Sequence, residues 1–112
     1  MIDKIKKLAN QYNFDKQYKQ LTEECVEEYP ELIQAVNKYR RYREALNTRD
    51  EILVSSEDNN LLIHKIVEEI AYIEIMLEKM KYLLNINPAA VEEIKLNKVN
   101  EQLEEIEKEK DK

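Results

Sequence analysis

Residues 57–86 read EDNNLLIHKIVEEIAYIEIMLEKMKYLLNI, and their periodicity decides the fold. Leu62, Ile66, Ile70, Ile73, Leu77, Met80 and Leu84 recur at steps of four and three, the repeat of one face of an α-helix. A second apolar flank (Ile63, Val67, Met76, Leu83) marks this as the most buried helix of the chain. Ser55 or Ser56 followed by Glu57 and Asp58 suits its start. A hydroxyl caps free amides there, and acids meet the positive end of the helix dipole.

Reading outward, Asn87-Pro88 restarts the chain as cap and first helical residue. A fourth helix over 88–110 follows, with Val91, Ile94, Val99, Leu103 and Ile106. The charged tail, residues 101–112, is expected to fray. Upstream, TRDEILVSSEDNN (48–60) is the one long connection. Before it, Leu21, Cys25, Tyr29, Leu32, Val36 and Tyr39 give a helix over roughly 16–47. Pro30 should kink this helix or delay its start, because proline lacks the amide and clashes with the preceding turn. A short leading helix over 2–12 carries Ile2, Ile5, Leu8 and Tyr12. Asn13 to Asp15 break it, with Asp15 as the next cap. The expectation is one all-α domain, residues 1–112, built as a bundle of about four helices. The third helix has two apolar flanks, more than one neighbour can cover, so the chain should oligomerise through helix faces.

Composition narrows the function. The 112 residues contain no glycine, which excludes a P-loop, a GxGxxG nucleotide fold and most hairpin-rich β architectures. Any nucleotide must then be held by side chains or metal. With 24 acids against 18 bases, a net charge of −6 argues against direct nucleic-acid binding, which needs a basic surface. The single cysteine, Cys25, excludes an intrachain disulfide and fits a reducing, cytoplasmic setting. No apolar run approaches the ~20 residues of a membrane span. The opening MIDKIKKLANQY is amphipathic and lacks a signal peptide's apolar core.

The chemistry-bearing feature is acidic. Glu23, Glu24, Glu27, Glu28 and Glu31 fall within nine residues. At ~100° per residue, Glu24, Glu28 and Glu31 lie within about 60° of one another, at the margin of the apolar stripe. Glu68 and Glu69 sit likewise beside the stripe of the third helix. If the stripes pack together, these acids face each other and repel unless a cation neutralises them. Oxygen-only sites of this kind suit Mg²⁺ or Mn²⁺. Acids on a helix also commonly form a solvated face paired with lysines.

The stretch Glu27-Glu28-Tyr29-Pro30-Glu31-Leu32-Ile33-Gln34-Ala35 resembles the EExxEL..A motif of the MazG-like all-α nucleoside triphosphate pyrophosphohydrolases. Asn37-Lys38-Tyr39-Arg40-Arg41 looks like the basic turn that follows in phage-type members. Ile66 to Glu78 is similar to the family's second block, an EExxD element on the partner helix. The resemblance spans roughly residues 18–99. It implies Mg²⁺- or Mn²⁺-dependent hydrolysis of a nucleoside triphosphate to monophosphate and pyrophosphate, in a homodimer or homotetramer. Glu28, Glu31 and Glu69 would be metal ligands, and Glu27 and Glu28 the catalytic carboxylates. Lys38 and Arg41 would contact phosphate oxygens, and Lys98 would be among the basic residues turned to substrate. Apart from the resemblance, Tyr39, Tyr42 and Tyr72 lie near the expected site, where a tyrosine could stack a base, Tyr72 being taken as the substrate contact; a tyrosine at helical spacing is more often core or interface.

The chain departs from the pattern in three places. The second-block aspartate falls at Tyr72, for which Glu68 and Glu74 are the available substitutes. Glu23-Glu24-Cys25-Val26-Glu27 also fits EExxE, four residues earlier; Leu32, Gln34 and Ala35 favour the later register. On the fourth helix only Lys95 and Lys98 supply basic charge before Glu101. A MazG-like protein that has lost catalysis and binds nucleotide or another protein is therefore the alternative. His64 has no catalytic companions and reads as a surface residue. Cys25, on the apolar stripe, reads as a small hydrophobe.

Overall fold

The computed structural model describes residues 1–11, 14–48 and 56–110. Four helices follow one another, α1 (Ile2–Ala9), α2 (Phe14–Thr48), α3 (Ser56–Leu83) and α4 (Pro88–Lys110), with no strand among the described residues. The chain is all-α, as its periodicity requires. No described helix is long and apolar enough to cross a membrane.

The helix boundaries depart from expectation where local chemistry decides them. α1 ends at Ala9, where the Asn10 amide closes the last turn on the Lys6 carbonyl at 2.9 Å. Tyr12 and Asn13 lie outside the described residues. α2 is already helical at Phe14, so Asp15 stands inside the helix and does not cap it. Residues 49–55, with Ser55, also lie outside the described residues. The helix at residues 57–60 shortens the expected connection, and Glu57 and Asp58 occupy the first turn of α3. α2 does not start late, because it runs through Pro30. Pro30 and Val26 are both exposed, so the Val26 carbonyl that proline leaves without a donor can bond water. α4 remains helical through the charged segment to Lys110.

α3 stops at Leu83, before the expected residue 86, in a turn that would normally take a glycine. Asn85 adopts φ 54°, the left-handed conformation that asparagine tolerates best after glycine. The Ile86 amide then bonds the Lys81 carbonyl at 2.9 Å, and the Asn85 amide bonds Tyr82 at 3.2 Å. These two bonds are a Schellman motif, which satisfies the last carbonyls of the helix. Asn87 next caps α4, its Oδ1 accepting the Ala89 amide at 3.0 Å.

α2 and α3 form an antiparallel hairpin, and α1 lies against α3. The seam of α3 is not the expected stripe. Its inward residues are Leu62, Ile66, Glu69, Ile73, Met76, Met80 and Leu83, whereas Ile70, Leu77 and Leu84 are exposed. The steps of four and three are kept, and Leu62, Ile66, Ile73 and Met80 stay inward, but Glu69, Met76 and Leu83 replace Ile70, Leu77 and Leu84, which turns the centre of the face by about 40°. On α2 the inward residues are Leu21, Glu24, Glu28, Leu32, Ala35, Tyr39 and Tyr42. Tyr29 and Val36, expected on the stripe, are exposed. Lys79 of α3 and Glu24 of α2 form an ion pair across the seam, their side chains only 13% and 19% exposed. α1 adds Ile5 and Ala9 to the core, and its end is tied down by the Asn10 Nδ2 to Tyr82 hydroxyl hydrogen bond of 2.9 Å. α4 buries no residue.

Met76, 1% exposed, is the apolar residue that fixes the observed register. Met76→Ala should cost about 2–5 kcal/mol in chemical denaturation, the range for emptying a core site, and Met76→Leu less than about 1.5 kcal/mol.

Candidate metal centre

The seam places carboxylates where a coiled-coil-like pair would carry leucines. Glu69 follows Ile66 by three residues and precedes Ile73 by four, so helical geometry points it at α2. It is 0% exposed. Glu28 occupies the matching position on α2, and Glu31 lies one turn further along the same helix. One carboxylate oxygen from each of Glu28, Glu31 and Glu69 lies within 4.8 Å of the others. Burial is graded from Glu69, buried, through Glu28, half-buried, to Glu31, exposed. The cluster is therefore a blind site with its mouth at Glu31.

This geometry fits a cation. Oxygens on opposite sides of an ion are separated by twice the metal–oxygen distance, about 4.2 Å for Mg²⁺ and about 4.8 Å for Ca²⁺. The Glu28 and Glu69 Oε2 atoms are buried and have no hydrogen-bond partner, an arrangement that is costly without a counter-charge. Lys65, one turn before Glu69, brings its Nζ to 2.8 Å from Glu69 Oε1. Three ionised carboxylates and one ammonium leave a charge of −2, which one divalent cation balances.

Burial raises the Glu28 carboxyl above its ordinary value of 4.5, and the charges of Glu31, Glu69, Glu24 and Glu27 push it further in the same direction. For Glu69 the adjacent Lys65 ammonium holds the carboxyl below its ordinary value, against the opposing effect of burial. The same contact raises Lys65. Glu24 is not one of the three converging carboxylates and pairs instead with Lys79. Of the two overlapping EExxE stretches, the clustered Glu28 and Glu31 belong to the later one, and Glu27 is not in the cluster.

The other expected residues fall in two groups. Glu27, Lys38 and Arg41 each precede an inward residue of α2 (Glu28, Tyr39, Tyr42), and Tyr72 precedes Ile73 on α3. On antiparallel helices a backward step of one residue turns both helices toward the same side. These four residues therefore share the face of the hairpin on which Glu31 and Lys65 stand. All four are exposed, Tyr72 to 54%. Lys98 is elsewhere, on α4, 3.4 Å from Glu101. Of the substitutes for the missing aspartate, Glu68 lies 2.9 Å from His64 Nε2, and Glu74 is exposed. Cys25 is a half-buried free thiol.

Lys65 and Lys79 were not singled out by the sequence. The Lys65–Glu69 spacing of four residues signals a helical ion pair, but the Lys79–Glu24 pair depends on how α2 docks on α3. Compared with known proteins, the chain matches no family model, no curated protein and no solved structure.

A carboxyl raised in the folded state favours folding at low pH, and that contribution is lost as pH climbs from 4.5 through its raised value. Glu69 acts in the opposite sense, its contribution being lost as pH falls below 4.5 toward its lowered value. In EDTA, acidification from neutrality toward pH 5 should raise the melting temperature of the wild type. Glu28→Gln should be more stable than wild type at neutral pH and should show a flatter profile. Divalent cation should raise the melting temperature of the wild type more at pH 7 than at pH 5, and that of Glu28→Gln little at either. Thermal denaturation followed by circular dichroism checks each point.

Proposed function

We propose that the chain is a divalent-cation-dependent pyrophosphohydrolase of nucleoside triphosphates, a homo-oligomer of the reducing cytoplasm. One observation carries the reading. The carboxylates that the MazG-like resemblance assigns to metal, Glu28, Glu31 and Glu69, converge within 4.8 Å and keep buried oxygens without hydrogen-bond partners. Those three residues would hold Mg²⁺ or Mn²⁺, which would supply charge neutralisation for the triphosphate and a more acidic bound water.

The side chains of the site face divide the remaining work. Glu27, exposed beside Glu28, accepts the proton of the attacking water. That water adds to phosphorus, the phosphoanhydride bond breaks, and the products are nucleoside monophosphate and pyrophosphate. Lys38 and Arg41 bind phosphate oxygens, lysine as a point charge and arginine as a fork. Tyr72 offers an aromatic face to the base, whereas Lys98, on α4 beside Glu101, stands apart from this face.

A second reading rests on Tyr72, an exposed phenol where the resemblance calls for aspartate. A neutral phenol is a poor ligand for a hard cation, so a module that binds nucleotide or protein without turnover is the competing class.

Incubation with a panel of ribo- and deoxyribonucleoside triphosphates plus Mg²⁺ or Mn²⁺ should release pyrophosphate from at least one of them. Glu28→Gln and Glu31→Gln should each reduce kcat by about a hundredfold or more, the effect of removing one electrostatic contact from a developing charge, with helicity unchanged. Tyr72→Asp should tighten the metal requirement and raise turnover. Nucleotide binding without turnover would favour the second reading. No pyrophosphate from any nucleotide, together with no stabilisation by metal, would overturn both.

A further inference from the structure

The proposed reaction leaves Lys65 without a task, yet its ammonium reaches the deepest carboxylate of the cluster. The Lys65 side chain is 56% exposed and that of Glu69 is 0% exposed, so the ammonium approaches from the solvent side, to 2.8 Å from Glu69 Oε1. Helical spacing alone does not explain this choice. Lys65 also has Glu68 three residues on, but that carboxylate stands 4.0 Å away and holds His64 Nε2 at 2.9 Å. A lysine four residues before a glutamate is, moreover, the weaker order for a helical ion pair. What holds Lys65 is the burial of its acceptor, because an ionised carboxylate withdrawn from water draws the nearest counter-charge. The contact makes the two oxygens of Glu69 unlike. Oε1 meets the ammonium, whereas Oε2 is buried without a hydrogen-bond partner, as is Glu28 Oε2.

We propose that Lys65 is a positioning residue for the cation. By keeping Glu69 Oε1 it leaves that carboxylate a single oxygen to give, and so makes the centre select Mg²⁺ or Mn²⁺ over Ca²⁺. The inference rests on the metal centre of the proposed function and not on turnover. The span of the cluster, within 4.8 Å, suits ions of either size; the number of oxygens offered separates them. With one oxygen from each of Glu28, Glu31 and Glu69, the chain supplies three ligands. Mg²⁺ demands an octahedron and keeps water or phosphate oxygens in the positions that the protein leaves. Ca²⁺ takes about six to eight ligands and commonly draws both oxygens from a carboxylate. Glu69 with a free Oε1 would be such a ligand, deep in the site, and Lys65 closes that option. Two physical reasons keep the ammonium in place beside a bound cation. A carboxylate carries lone pairs on both oxygens and can serve two cations at once. Departure of Lys65 would also strip a buried oxygen of its counter-charge, which is costly.

Calorimetric titration with Mg²⁺, Mn²⁺ and Ca²⁺ in the absence of nucleotide, with circular dichroism to follow the fold, tests the assignment. The wild type should bind Mg²⁺ and Mn²⁺ more tightly than Ca²⁺. Lys65→Met should gain affinity for all three, because a positive charge is removed. The gain for Ca²⁺ should exceed that for Mg²⁺ by about tenfold or more. Lys65→Arg, which keeps the charge and a donor, should retain the wild-type ratio. A crystal structure of the Mn²⁺-loaded wild type should show Glu69 bound through one oxygen with Lys65 still on the other, a result that does not depend on the folding of any variant. Equal gains for Ca²⁺ and Mg²⁺, a wild type that prefers Ca²⁺, or a Lys65→Arg ratio like that of Lys65→Met would each overturn the proposal and leave the metal centre standing. So would a loaded structure in which Glu69 gives both oxygens or Lys65 has turned away. Binding by Lys65→Met alone would overturn it as well, since Lys65 would then exclude the cation. No heat and no stabilisation with any of the three ions, in wild type and Lys65→Met alike, would overturn the metal centre and the proposal with it.

Discussion

The Glu69 carboxylate, fully buried between two isoleucine turns of α3, is the constraint to which the structure around it answers. An ionised group withdrawn from water needs compensation inside the protein. Lys65 provides the larger part of it from the same helix and a hydrogen bond with Glu31 adds to it, while the Glu28 carboxylate converges on the same point without a counter-charge. α2 could have met this position with leucine. It brings two more acids, so the packing interface of the hairpin and its electrostatically strained site are one surface. Such local conflict with the rule of an apolar core is characteristic of functional positions.

The hairpin segregates its surfaces by single-residue steps. Inward residues hold α2 to α3, residues one step before them make the polar face, and residues one step after them make the apolar face. Lys38, Arg41 and Tyr72 belong to the polar face although they are far apart in sequence. The Lys79–Glu24 pair, largely withdrawn from water, locks the sliding register that this division requires. Slippage by one turn would break that pair and separate Glu69 from Glu28.

Helix number, order and class were legible in the sequence because apolar residues at steps of three and four need no tertiary information to be recognised. The convergence of Glu28, Glu31 and Glu69 was expected from the family resemblance, whereas spacing alone grouped Glu24 with Glu28 and Glu31 and did not show that Glu24 would pair with Lys79 instead. The rotation of the α3 seam was not legible. Ile70 and Met76 fit the helical repeat equally well, and only docking chooses between them. A glutamate at a seam position also disguises the seam, since the eye follows apolar residues and steps around Glu69. The end of α3 was misplaced for a related reason. Ile86 continues the apolar pattern, whereas Asn85 gives a weaker stop signal than the glycine this chain lacks.

Pro30 stands between two of the three clustered carboxylates, and its missing amide removes one hydrogen bond from the otherwise continuous α2 at the site. Proline also biases Tyr29 before it away from helical geometry, so this turn is the part of α2 least able to remain wound by itself. Docking on α3 holds it in place. Amide exchange would accordingly report the Glu28–Glu31 turn as a unit that opens below the cost of global unfolding. Occupancy of the site and winding of that turn are then linked equilibria, and whatever fills the carboxylate cluster also repairs the weakest point of the longest helix.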